Sequence, residues 1–194
     1  MIHPPQGRHI LINPARDKAF VLTLKAGSST MSTTLEHDNG WERFPEAKLP
    51  FPPSVEVFGL IRHPFDRWVS GVAQVWTPWF DPPTKPIDKL VEYAIRTGDI
   101  TWFLHHGSED QHLYPQWWNF KVFPDAHLVR FSELPSIFPM LGIAQHNGHH
   151  IRDHRKMGYQ GEMRRVIEHR AFPHRRSIEE VYLKDLDLWE RASS

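Results

Sequence analysis

The sequence predicts an α/β fold in which a central, mainly parallel sheet is flanked by helices in three layers. Three observations lead there. Short apolar runs at 9–13 (HILIN), 19–24 (AFVLTL), 55–61 (VEVFGLI) and 127–131 (HLVRF) read as strands. Helix-compatible stretches follow several of them, most plainly from Pro64 to about Val75, and strands alternating with helices imply parallel pairing with right-handed crossovers. The 194 residues, 40% hydrophobic and 24% charged, suffice for a real core. A single domain over 1–194 is expected, with residues 1–8 as a flexible N-terminus.

The first two runs are split by Asn13-Pro14-Ala15-Arg16-Asp17, a turn composition. The second run ends in Lys25-Ala26-Gly27-Ser28-Ser29-Thr30, and a helix-compatible stretch follows to about Leu35. Residues 38–54, rich in Pro, Gly and charge, read as an irregular crossover. Val55–Ile61 reads as a buried strand, and Pro64 suits the first turn of the next helix. After a Pro-rich loop, 78–86, a further helix is predicted with Ile87, Leu90, Val91, Ala94 and Ile95 on one face and Gly98 at its end. Residues 102–123 read as helix plus loop, 134–141 as a short helical segment broken by prolines, and 145–161 as a polar, basic loop. The last helix is predicted to open at Ser177, with Glu180 completing a capping box, and to carry Ile178, Val181, Tyr182, Asp185 and Trp189 on roughly one side.

Composition excludes several classes. Net charge is zero with His neutral, which argues against a nucleic-acid coat, though a local basic cleft remains compatible. The absence of cysteine rules out disulfides, thiolate metal sites and a Cys nucleophile. The N-terminal stretch has no signal-peptide pattern and no apolar run is long enough to cross a bilayer, so a cytoplasmic protein with no nucleic-acid or membrane partner is expected.

Two segments carry chemistry. Lys25–Thr30 joins a strand to a helix start through small residues, a P-loop-like arrangement in which backbone N–H groups converge on an oxyanion. Gly27 permits close approach, Ser28, Ser29 and Thr30 add hydroxyl donors, and Lys25 adds positive charge; an ordinary strand-to-helix turn with a surface lysine is the alternative. No Gly-Lys-Ser/Thr follows the glycine, so this is not a Walker A motif. The second segment is Arg62-His63-Pro64-Phe65-Asp66-Arg67-Trp68-Val69-Ser70. Arg62 closes a strand, Arg67 and Ser70 share a helix face, and Arg62 with Ser70 would suit one phosphate. Pairing of Arg62 and Arg67 with surface acids is the alternative. Two anion sites at the carboxyl ends of neighbouring strands fit a nucleotide phosphorylated on both its 5′ and 3′ sides.

These residues resemble the sulfotransferases that use 3′-phosphoadenosine 5′-phosphosulfate (PAPS). Lys25-Ala26-Gly27-Ser28-Ser29-Thr30 is similar to their 5′-phosphosulfate loop, and Arg62-x-Pro64-x-x-Arg67-x-x-Ser70 to their 3′-phosphate motif. Farther on, Asp110–Gln116 resembles a His-x-x-Pro-Gln segment of the carbohydrate (Golgi-type) branch and its bacterial relatives. Val129–Leu134 resembles that branch's Arg-Phe-Glu-x-Leu strand end, with Ser132 where the acid is usual, and Tyr182-x-x-Asp185 its closing segment. The resemblance spans residues 19–189. Golgi members carry a membrane anchor and usually disulfides, which this sequence lacks, and the chain is short between Lys25 and Arg62.

The resemblance implies sulfuryl transfer from PAPS to a hydroxyl acceptor, a small molecule or a glycan, with no metal. Lys25 would neutralise the leaving oxygen, the loop from Ala26 to Thr30 would hold the 5′-phosphate, and Arg62 with Ser70 the 3′-phosphate. A general base is needed, and a His between or near the two motifs is expected: His37 first, His112 next, Glu36 third. His146, His149, His150 and His154 have spacings compatible with a metal but read better as a polar loop. Arg152, Arg155 and Lys156 are candidates for the 3′-phosphate, and Trp76, Trp79, Trp102, Trp117 and Trp118 for stacking on an acceptor or filling a core. A basic C-terminal region, from Arg164-Arg165 to Arg175-Arg176, suits an anionic acceptor or a solvated helix face. The competing functions are a P-loop nucleotide kinase or phosphotransferase and a non-catalytic nucleotide-binding module.

Overall fold

Strands β1 (His9–Ile12), β2 (Lys18–Leu22), β3 (Glu42–Phe44), β4 (Glu56–Ile61) and β5 (His127–Arg130) form one sheet in the order β3-β1-β2-β4-β5. The structure, a computed structural model, describes residues 9–75, 112–143, 164–165, 167–169 and 171–192. The predicted helix after Pro86, the 78–86 loop and the 145–161 loop lie outside the described residues. The helices are α1 (Ser28–Ser32), α2 (Pro64–Val75), α3 (Trp117–Phe120), α4 (Leu134–Met140), α5 (Arg175–Val181) and α6 (Leu183–Arg191).

The pairing corrects the expected mainly parallel, P-loop-like sheet. β2–β4 and β4–β5 are parallel, whereas β1–β2 and β1–β3 are antiparallel, so the sheet is mixed. The reason is local. The link from Asn13 to Asp17 is too short for a crossover, and such a link joins only antiparallel neighbours. Asn13 builds the turn: its Oδ1 accepts from the N–H groups of Asp17 (3.1 Å) and Lys18 (3.0 Å). The segment read as an irregular crossover supplies β3, which returns against β1 in the register Ile10↔Phe44.

The chain divides into two compact units. The sheet unit comprises His3–His63, Gln116–Arg152 and Asp187–Ser194. One face of its sheet packs Leu11, Phe20, Leu22, Phe58 and Leu60 against Met31 and Leu35, which follow the loop after β2, and against Ile137 and Phe138 of α4. The other face packs Ile10, Ala19 and Val21 against Phe120 and Phe123. Gly59 faces this second layer, where the ring of Phe120 occupies the space a Cβ would need.

The helical unit comprises Met1–Ile2, Pro64–Pro115 and Asp153–Leu186. Helix α2 begins at Pro64, as its fixed φ favours. Phe65, Trp68, Val69 and Val72 recur at helical spacing and pack with Leu113, Ile178 and Tyr182. The capping box predicted at Ser177 is absent: α5 starts at Arg175, so Ser177 lies inside it, and no side chain caps its end. The exposed basic side chains there pair along the helix instead, Arg175 with Glu179 at 2.6 Å and Arg176 with Glu180 at 3.2 Å.

Among the described residues, two charged side chains are enclosed in this unit. Arg67 is 2% exposed and Asp185 is 0% exposed. Burial pulls the guanidinium below its ordinary value, and the charges of Asp185 and Tyr182 pull it back up. An Arg67 Nη2 donates to the Tyr114 carbonyl. The Tyr182 hydroxyl donates to the Leu113 carbonyl at 2.6 Å.

Burial raises the Tyr182 pKa to about 12, the charge of Arg67 opposes the rise and that of Asp185 adds to it. The fold therefore favours the neutral phenol. Its contribution is complete below the unfolded value of about 10 and is lost as pH climbs through about 12. In that window the melting temperature of the wild type should fall more steeply than that of Tyr182→Phe, by up to about 1.4 kcal/mol of stability per pH unit. Parallel pH profiles for the two proteins would contradict this.

Candidate functional site

In the sheet unit β2 and β4 are parallel neighbours, so the segments that follow them leave from the same edge of the sheet. After Leu22 the chain turns sharply, with the Ala26 N–H donating to the Thr23 carbonyl at 3.1 Å. Lys25 takes a left-handed conformation, φ 65. For a residue with a Cβ this costs roughly 1–2 kcal/mol, and such outliers gather at functional sites. Gly27 follows at φ 82. A Cβ there would sit 2.9 Å from the Phe131 ring and 3.2 Å from Leu60, so glycine serves both the conformation and the fit.

Helix α1 begins at Ser28, and the Met31 N–H donates to the Gly27 carbonyl at 2.9 Å. Ser28 and Thr30 are half-buried and Ser29 is exposed. Without a break α1 passes into a π-helix over Thr33–Asp38, a rare form that concentrates at functional sites. This π-helix carries His37, which is exposed, and Glu36. The Glu36 carboxylate is engaged by the Ser32 hydroxyl at 3.0 Å and by Arg43 at 3.3 Å.

Arg62 is the first residue after β4. Its Nη1 donates to the carbonyl of Lys25 at 3.3 Å, and its guanidinium lies over the Phe131 ring, 5.3 Å from the centroid. Its backbone is held by a side chain: the N–H donates to Gln116 Oε1 at 3.0 Å, and the C=O accepts from Gln116 Nε2 at 2.8 Å. Lys25, Arg62, Gly27 and Phe131 thus form one constellation within one unit. Sequence reasoning placed Lys25 and Arg62 there. Phe131 and Gln116 it quoted only within motifs, since no local pattern tells which backbone a side-chain amide will meet or which cation a ring will lie under.

Ser70 lies half-buried on α2, and His112 is half-buried just before Leu113; both belong to the helical unit. Arg67, three positions before Ser70 on α2, is enclosed as described above. Trp117 and Trp118 stand edge to face at 6.0 Å. Arg152, Arg155, Lys156 and the 146–154 histidines lie outside the described residues. Among the described residues no three His, Asp or Glu side chains gather as a metal-binding group, and no helix is long and apolar enough to cross a membrane.

A hollow of about 250 Å³ opens at the edge of the sheet from which β2 leads to Lys25. Leu11, Leu22 and Phe44 help to line it, with His9, Arg43 and Glu46 as its polar members.

Comparison of the chain with family models, with curated proteins and with solved structures finds no match.

Proposed function

We propose that this protein is a sulfotransferase that carries a sulfuryl group from PAPS to a hydroxyl acceptor. One observation carries the reading. The Arg62 guanidinium reaches the Lys25 carbonyl at 3.3 Å, which joins the two cationic segments at the carboxyl ends of adjacent parallel strands. Ligands of α/β proteins bind at such strand ends. A bisphosphorylated adenosine engaged by both segments accounts for a lysine held in a costly left-handed conformation beside an arginine pinned at its backbone.

In this reading the acceptor oxygen attacks sulfur as the bond from sulfur to the 5′-phosphate oxygen breaks, and adenosine 3′,5′-bisphosphate leaves. The Lys25 ammonium meets the charge that grows on the departing oxygen. The segment from Ala26 to Thr30 holds the 5′-phosphate, and Arg62 presents a planar fork to the 3′-phosphate. His37 takes the acceptor proton, because the Glu36 carboxylate is already engaged by Ser32 and Arg43. The hollow beside His9 and Arg43 receives the acceptor. It is below the roughly 300–1,000 Å³ of pockets for drug-sized ligands, and a lining of both apolar and polar side chains suits a small ring bearing hydroxyls.

Thermal shift tests the reading. Adenosine 3′,5′-bisphosphate at about a hundred times its Kd should stabilise the protein by about 2.7 kcal/mol, several degrees, and 5′-AMP or ATP at equal concentration by much less. A larger shift with ATP would favour a kinase and overturn the proposal.

A further inference from the structure

Gln116 is 0% exposed, yet it carries a full amide, which costs free energy to bury unless every group finds a partner. Two of its bonds go to the backbone of a single residue, Arg62. That residue stands beyond the last paired positions of β4, which are Gly59 on the β2 side and Ile61 on the β5 side. The amide therefore continues the ladder for one residue where, among the described residues, no strand continues it, with a donor for the carbonyl and an acceptor for the N–H. The side chain that emerges from this clamped backbone is the one that reaches the Lys25 carbonyl and covers the Phe131 ring.

We infer that Gln116 is a positioning residue for 3′-phosphate recognition: it fixes the Arg62 backbone so that the guanidinium fork is aimed before the nucleotide arrives. This rests on the sulfotransferase reading of the site. A planar fork recognises phosphate through direction as well as charge, so a backbone free to shift keeps the charge and loses the aim. Asparagine carries the same amide one methylene short of the Arg62 backbone. Glutamate has the length but lacks the Nε2 donor, and sets a carboxylate oxygen against the Arg62 carbonyl.

The experiment measures Kd for adenosine 3′,5′-bisphosphate and for 5′-AMP in the wild type, Gln116→Asn, Gln116→Glu and Arg62→Ala, with melting temperatures alongside. In the wild type the ratio of the two constants reports the 3′-phosphate. In both Gln116 variants that ratio should shrink on the order of tenfold to a hundredfold, the scale of a small misplacement, with 5′-AMP binding little changed. Arg62→Ala should set the lower limit of the ratio. Equal losses for both nucleotides, an unchanged ratio in a folded variant, or failure of both variants to fold would make Gln116 a structural residue only and overturn the inference. A wild type that shows no preference for the 3′-phosphate would fail the sulfotransferase reading itself, a result distinct from these.

Discussion

Lys25→Ala should lower kcat for the proposed sulfuryl transfer by on the order of 10²–10³-fold, as loss of one group aimed at developing charge does elsewhere. Binding of adenosine 3′,5′-bisphosphate should weaken far less, because in the proposed mechanism the phosphates keep their other partners and the lysine acts chiefly as charge builds on the leaving oxygen. The left-handed backbone at this position, φ 65, demands a control. Lys25→Gly adopts that conformation without strain, so it removes the ammonium and preserves the turn. Both variants should be equally inactive. A glycine variant that retains turnover would show that loop geometry, not the lysine charge, carries the effect.

The second large effect is on stability. Asp185→Ala should cost about 3–5 kcal/mol, since it strands the Arg67 guanidinium in an enclosed site without its compensating charge. Both side chains are almost wholly buried, and domains of this kind hold only about 5–15 kcal/mol in total. Urea denaturation would read the loss as a lower midpoint with little change in slope. A double variant, Arg67→Met with Asp185→Leu, should recover much of it, because an apolar pair avoids desolvating two charges. A single substitution that costs under about 1 kcal/mol, the level of an exposed pair, would show that Asp185 does not compensate Arg67.

The contrast between these two sites explains what could be read in advance. The strands at 9–12, 18–22, 56–61 and 127–130 were legible because apolar, β-branched runs flanked by Pro, Gly or charge encode them locally. Helix α2 was legible from Pro64 and from the spacing of Phe65, Trp68, Val69 and Val72. Sheet direction was not, because alternation of element types outweighed the shortness of the Asn13–Asp17 link. β3 was missed because Glu42-Arg43-Phe44 is too short and too charged to signal a strand; its partner β1 makes it one. The π-helix is invisible to composition, since it differs from an α-helix only in hydrogen-bond offset. In the site, Lys25 and Arg62 stand beside recognisable loop and helix signals. Gln116 and Asp185 act on residues far away in sequence, and only folding reveals whom they serve.

The outermost strand β3 also bears on solubility. It is three residues long, and its Glu42 and Arg43 are exposed. A sheet margin is where a stray chain adds itself by main-chain pairing. This margin offers such an intruder little backbone to grip, and it must strip water from two ionised groups to do so. The protein thus carries a deterrent to fibril growth on that flank, built from the same segment that lines the hollow.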